Sequence, residues 1–158
     1  MTTTQQPAQL EATIEIDAPP AQVWALISDP RRMSAFSPQV VKTVVRGGDP
    51  VTKGTKFFNI NHRGPLLWPT QAMVVRCEPH TEFAFRVKEN WTIWSFALEP
   101  TATGGTKVTQ RRETPKGISN LSLRLTKVAL GGVPRFTGEL REGMHETLDK
   151  LKQAAEKR

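Results

Sequence analysis

The chain of 158 residues contains no tyrosine and only one cysteine. A missing phenol removes one acid from the chemistry available and excludes nothing further. A single thiol, Cys77, rules out an internal disulfide, and no Cys/His cluster has the spacing of zinc ligands. The expectation is therefore a chain suited to a reducing cytoplasm, with no metal and no cofactor. No apolar run approaches the ~18 residues that span a bilayer, and the N-terminus lacks a basic stretch followed by an apolar one, so neither export nor a transmembrane segment is expected. Ser/His/Asp order, a phosphate-binding glycine loop and paired acid/base spacing are absent as well.

Charge is unevenly placed. Residues 1–30 carry Glu11, Glu15, Asp17 and Asp29 with no Lys or Arg, against a net charge of +7 for the whole chain. Residues 107–127 carry Lys107, Arg111, Arg112, Lys116, Arg124 and Lys127 with Glu113 alone opposing them. A basic segment of this kind suits an acidic carrier protein or an anionic surface, or it is simply a solvated face that keeps the protein dispersed. Nucleic acid is disfavoured, because the aromatic residues fall at core spacing and are not interleaved with exposed cations.

Residues 1–10 are polar and aperiodic and read as a flexible leader; 11–156 read as a single domain. Ala12, Ile14 and Ile16 alternate with polar neighbours, the period of a half-buried strand. Pro19-Pro20 ends it and opens a short helix carrying Val23, Trp24 and Ile27, and Asp29-Pro30 caps a second through Phe36. Six segments then alternate with turn signals: Val40–Val45, Lys56–His62, Gln71–Cys77, Thr81–Lys88, Trp91–Leu98 and Thr106–Glu113. Their short connections predict antiparallel pairing. Leu121, Leu125 and Val128 form one helical stripe, and Phe136, Leu140, Met144, Leu148 and Leu151 form another, with Gly131-Gly132-Val133-Pro134 breaking or bending the helix between them.

Strand parity predicts which side chains look inward. Trp94 and Phe96 share a face, as do Phe83 and Phe85, and as do Met73, Val75 and Cys77. On the second of the six strands the inward set is Phe58, Ile60 and His62, with the neighbouring Phe57 leaving the register open by one residue. Ser95, opposite in parity to Trp94, is expected to face solvent. Val108 begins inward on the last strand, so Gln110 and Arg112 follow it inward, which is informative because an unpaired buried charge is expensive.

This order of elements resembles the helix-grip fold of the START and birch-pollen-allergen-like superfamily (SRPBCC). Residues Ile16 to Pro30 look like its opening signature, and Gly54-Thr55-Lys56-Phe57, Trp94 to Pro100 and Gly104 to Thr109 look like later ones. Within it the chain looks closest to bacterial polyketide cyclase/dehydrase and lipid-transport-like proteins. It departs from many relatives at Met33-Ser34-Ala35-Phe36, where they carry tryptophan. The resemblance implies an α+β domain, a seven-stranded antiparallel sheet wrapped around a long C-terminal helix with two short helices after the first strand. It also implies a cavity for a hydrophobic ligand between sheet and helix, lined by the inward residues named above together with Leu125, Phe136 and Leu140. The same side chains would serve equally as plain core. Glycines 131, 132, 138 and 143 would spare volume on the covering helix.

His62, if inward, is a candidate acid/base or hydrogen-bonding group, although a satisfied strand-end histidine accounts for it too; His80 and His145 are read as solvent-facing. Cys77 reads as a small core hydrophobe. Gln110 and Arg112 are the best polar candidates: in the superfamily, pocket groups of this kind are thought to polarise carbonyls, and an inward Arg112 would stabilise an enolate or hold a carboxylate. The leading reading is a non-catalytic binder or carrier of a lipid, polyketide or isoprenoid-like molecule. The alternatives are a polyketide aromatase/cyclase or dehydratase, and a protein-interaction module.

Overall fold

The computed structural model describes residues 10–47, 50–89, 91–114 and 133–157, with the side chains of the last helix from Gly138 onward. Strand β1 (Leu10–Ile16) leads into helix α1 (Pro20–Ile27), a 3₁₀ turn (Pro30–Arg32) and the one-turn helix α2 (Met33–Phe36). There follow β2 (Val40–Arg46), β3 (Lys56–Arg63), β4 (Leu66–Glu78), β5 (Glu82–Val87), β6 (Ile93–Pro100), β7 (Thr106–Glu113) and helix α3 (Val133–Glu156). All seven strands form one antiparallel sheet in the order β1-β7-β6-β5-β4-β3-β2, so only the connection from β1 to β2, through the short helices, crosses from one edge to the other.

Local chemistry sets these boundaries. Pro20 occupies the first turn of α1, where a missing N–H costs nothing, and the Asp29 carboxylate accepts from the Arg31 N–H at 3.0 Å to open the next turn. Pro134 falls in the first described turn of α3 (Val133–Glu156). The stripe at 121–128 and the two glycines at 131 and 132 lie outside the described residues.

β4 begins five residues earlier than the expected Gln71. β4 pairs with β5 only from Ala72 onward, so residues 66–70 border β3 alone and Pro69 sits on a free edge.

The stripe Leu140, Met144, Leu148, Leu151 and Ala155 is buried and joins a core with Leu10, Ala12 and Ile16 of β1, Val23 and Ile27 of α1, and Phe57, Val74, Phe83, Phe85, Phe96 and Val108 across the sheet. Trp24 packs edge-on against Phe83, ring centres 6.2 Å apart, fixing α1 to this face. The C-terminal end of α3 is tied to β1: Lys152 Nζ donates to the Glu15 carbonyl at 2.9 Å, Glu156 Oε2 accepts from the Asp17 N–H at 2.8 Å, and Gln22 Nε2 donates to the Ala155 carbonyl. Gly105 has no room for a side chain, since a Cβ there would lie 2.6 Å from the Ile16 carbonyl oxygen. The close approach of the β6–β7 turn to the end of β1 therefore requires glycine.

Register corrects the expected faces of β3 and β4. Phe57 pairs with Ala72 and Ala72 with Val87, while Val74 pairs with Phe85, so the inward set is Phe57, Asn59, Asn61, Ala72 and Val74. Phe58, Ile60 and His62, with Met73, face the opposite side of the sheet, and Val75 is the extra residue that no strand pairs with. Phe57 lies edge-on to Phe85, centres 5.2 Å apart, which fixes the choice. Cys77 nonetheless returns inward, aligned with Phe83, because an irregularity between Val74 and Arg76 adds a residue and reverses parity.

Candidate functional site

Gln110 and Arg112 stand on the concave face at the C-terminal half of β7. Ala12 and Phe96 flank Gln110 across the neighbouring strands, and Leu10 and Trp94 flank Arg112. Arg112 is only 5% exposed and Gln110 6%. The Arg112 guanidinium carbon lies 6.0 Å from the centre of the Trp94 ring. Among the described residues no carboxylate comes within ion-pair distance of it. Residues 1–9 and 115–132 contain no Asp or Glu, so neither stretch has a carboxylate to offer. Burial without a partner brings its pKa down from the ordinary arginine range to about 10, which leaves it a cation at neutral pH. Beside it, Gln110 Oε1 is buried with no hydrogen-bond partner. Buried polar atoms in folded proteins are nearly always satisfied, so an unpaired cation and an unpaired amide oxygen on the same face of β7 make this the candidate site.

The rest of the concave face is apolar toward its middle and polar toward β2. Phe83, Phe85 and Phe96 are buried and Trp94 half-buried. At the far side the Thr43 hydroxyl donates to Asn59 Oδ1 at 2.5 Å, and Asn61 Nδ2 donates to Thr70 Oγ1 at 2.9 Å. These two asparagines were not expected inward; the ambiguous pair Phe57-Phe58 was the one signal in the sequence that could have placed them.

Of the residues expected to line a site, Phe83, Phe85, Trp94, Phe96, Gln110 and Arg112 share the concave face, and Leu140 joins the same core from α3. Phe58, Ile60, His62 and Met73 do not, and Val75 is the unpaired residue of the irregularity in β4. His62 is half-buried with Nε2 2.8 Å from the Pro38 carbonyl, a structural contact. His80 and His145 are exposed, as read from the sequence. Phe136 falls on the first turn of α3, and Leu125 lies outside the described residues. The helix glycines do not open space over the sheet: Gly138 is exposed with nothing within 4 Å of a built Cβ, and a Cβ at Gly143 would meet the Pro38 ring at 3.8 Å.

The basic segment is also divided by the fold. Lys107 is exposed, Arg111 Nε pairs with Glu11 at 3.1 Å on the convex side, and Arg112 turns inward. On that convex side Arg76 bridges Glu82 at 2.9 Å and Glu113 at 2.7 Å, so these described residues do not form an unopposed basic patch. Ser95, on the same side, is 1% exposed where parity alone had predicted solvent. Its cross-strand neighbours are Ala84 and Arg111, and Arg76 stands opposite Ala84, so long side chains cover it.

A family model described as polyketide cyclase / dehydrase and lipid transport matches residues 7–156, and the chain belongs to that family. Solved structures share the fold at low identity. The chain is similar to the di-domain ARO/CYC BexL of the BE-7585A biosynthetic pathway, with TM-score 0.69 and 16% identity over 95% of this chain and 50% of that one. It thus spans half of that two-domain protein. It is also similar to the KanY protein (TM-score 0.68, 20% identity, 96% and 99% of the two chains). A protein from Thermus thermophilus matches with TM-score 0.69 and 15% identity, over 93% and 96%. No curated protein matches in sequence. Among the described residues no helix is long and apolar enough to cross a membrane.

Proposed function

We propose that this chain binds a largely apolar small molecule on its concave face, with one anionic or strongly accepting oxygen of that molecule held by Arg112 beside Gln110. The observation that carries this reading is the uncompensated Arg112 charge in an otherwise apolar wall. A plain core would gain by replacing that cation with a hydrophobe, since a buried charge without a partner costs several kcal/mol, on the order of 3–5 when a pair is broken. A carboxylate, enolate or polarised carbonyl would supply the missing partner through a charge-assisted hydrogen bond, while Trp94 and Phe96 take the apolar body. Lipid, polyketide and isoprenoid-like molecules with one acidic end all have this form.

Carriage without turnover is the favoured form. The side chains flanking Arg112 and Gln110 on the neighbouring strands are Leu10, Ala12, Trp94 and Phe96, none of which moves protons. His62 faces the other way. A cyclase would use the same arginine to stabilise an enolate, a reading favoured by the family description and by the two-domain ARO/CYC neighbour.

The test is a pair of fluorescent naphthalenes, one bearing a sulfonate and one neutral, titrated into the purified protein. Arg112→Met should weaken the sulfonate by about tenfold or more, worth about 1.4 kcal/mol, and leave the neutral probe within about twofold. Equal affinities in both proteins would end the proposal. Native mass spectrometry of the purified chain would identify a resident molecule, and turnover of a poly-β-carbonyl compound would favour the cyclase.

A further inference from the structure

The excess of positive charge falls in one stretch of the chain. From Pro30 to Cys77 there are eight Lys and Arg against one acidic residue, Asp49, and outside that stretch the charges balance. Asp49 lies between β2 and β3, outside the described residues. Of the eight cations, Arg31 meets Asp29 at 3.5 Å, Arg63 meets Glu139 at 2.8 Å, and Arg76 bridges Glu82 and Glu113. Among the described residues Arg32, Lys42, Arg46, Lys53 and Lys56 have no carboxylate within ion-pair distance.

Register gathers three of these five on one surface. Thr43 and Asn59 turn inward, so Lys42, Val44 and Arg46 of β2 share the convex side with Lys56, Phe58 and Ile60 of β3. Arg46 stands directly opposite Lys56, Lys56 opposite Met73, and Met73 opposite Arg86 of β5, a single cross-strand row with three exposed cations. Like charges facing each other on neighbouring strands are destabilising. Glu89 borders the next row, where its Oε1 is engaged by the Gln71 N–H at 2.7 Å. On the other half of the convex side the arginines do find carboxylates, Arg76 with Glu82 and Glu113 and Arg111 with Glu11. Charges that only kept the free edge of β2 from pairing with another sheet could be of either sign and need not extend inward to β3 and β5.

Between the cations the surface is apolar. Val44, 37% exposed, lies beside Phe58, and Ile60 lies beside Lys42; Phe58, Ile60 and Met73 are half-buried. On the arm of the β3–β4 hairpin that runs past β5, Leu67 continues the same side and is 61% exposed. Helices α1, α2 and α3 all join the core on the other face, so no described element covers this one.

An apolar centre rimmed by charge is the plan of a contact between proteins. Phe58, Ile60 and Met73 sit low in the pleat, out of reach of the acyl chains of a bilayer whose headgroups met the cations. A nucleic acid backbone would neutralise the cations and bring nothing apolar to cover Val44 and Ile60. Carboxylates set between aliphatic side chains satisfy both parts of the surface. We infer that the convex face of β2 and β3 binds an acidic protein segment, its aliphatic side chains covering Val44, Phe58 and Ile60 and its carboxylates meeting Lys42, Arg46 and Lys56. The inference stands independently of what Arg112 binds, because Arg112 faces the other side of the sheet.

The experiment titrates a fluorescent random copolymer of glutamate and leucine into the full chain, with polyglutamate as the comparison that lacks apolar groups. The copolymer should bind about fivefold or more tighter than polyglutamate, and its binding should weaken with salt. Lys42→Glu with Lys56→Glu should weaken the copolymer by about tenfold or more. Arg141→Glu with Lys157→Glu, two exposed cations on and just beyond α3, changes the net charge equally and should alter binding by about twofold or less. Val44→Ser should remove most of the copolymer's advantage over polyglutamate. Lys56→Glu alone places a carboxylate opposite Arg46 and should raise Tm, so its weaker binding will not come from unfolding. Equal weakening by the two double reversals would overturn the proposal, as would polyglutamate binding as tightly as the copolymer. Phosphatidylserine vesicles or oligothymidylate bound more tightly than the copolymer, and released by the Lys42 and Lys56 changes, would assign the surface to lipid or nucleic acid and overturn it. Self-association that the same changes disperse would assign it to a second copy and overturn it equally.

Discussion

Arg112 and Trp94 face each other across β7 and β6, with the guanidinium carbon 6.0 Å from the ring centre, and this is the contact that Arg112 has where a buried arginine ordinarily has a carboxylate. A ring face offers such a cation about 0.5–2 kcal/mol, less than its burial costs.

Arg112→Met should therefore stabilise the ligand-free protein. The burial that lowers its pKa to about 10 is a cost the apolar side chain escapes, and a gain of about 1–3 kcal/mol, or several degrees in Tm, is expected. The sign with pH follows from a lowered basic pKa. Below about 10 both folded and unfolded chains carry the charge and the whole cost is present; it is relieved only as pH rises past about 10 toward the ordinary arginine range. The difference in Tm between the two proteins should thus be constant from pH 5 to pH 9. A difference that reversed in acid would reveal a carboxylate partner.

Gly105→Ala tests the close approach at the β1 end. The added methyl would sit 2.6 Å from the Ile16 carbonyl oxygen, and the neighbouring Thr101 hydroxyl is already committed to the Gly105 N–H at 2.9 Å. A loss of about 2 kcal/mol is expected in urea unfolding, read as a lower midpoint with unchanged slope.

Ser95→Ala should be neutral or stabilising by up to about 1 kcal/mol, because the Ser95 hydroxyl is buried with no hydrogen-bond partner. Ser95→Trp, which strand parity alone would tolerate as a surface change, should unfold or severely destabilise the protein. Thermal melts of the two variants decide it.

The Cys77 thiol should react slowly. It is half-buried, with Sγ 3.9 Å from the Val51 carbonyl, and burial together with Glu78 raises its pKa above the ordinary value. Alkylation at pH 8 should be about tenfold or more slower than for an unhindered thiol and should recover that rate in denaturant. Rapid modification of the folded chain would contradict the inward placement.

These residues show which parts of the fold were legible in sequence. β1, β5 and β6 alternate clearly, with Ala12, Ile14 and Ile16 or Phe83, Phe85 and Val87 on one side, and their faces followed, although β6 runs Ile93–Pro100, two residues later than the expected Trp91–Leu98. β3 and β4 carry apolar side chains on both sides, Phe57 beside Phe58 and Met73 beside Val74 and Val75, and there periodicity holds no information about which side is the core. Only pairing with β5 decides it. Gln110 and Arg112 were legible because they continue the parity of Val108, whereas the lack of a counter-charge was not: Glu11 and Glu113 are near in sequence or on adjoining strands, and it takes the register to send them to the convex side with Arg111 and Arg76.

The irregularity between Val74 and Arg76 gives β4 two reading frames. Upstream of it, even-numbered residues belong to the interior; downstream, Cys77 does. A strand built this way tolerates length changes at one point only. Removing Val75 would erase the frame shift and let both halves pair as one regular ladder, while a deletion anywhere from Leu66 to Met73 would turn the hairpin arm over, carrying its leucines to a new side while the aromatic wall behind stayed in place.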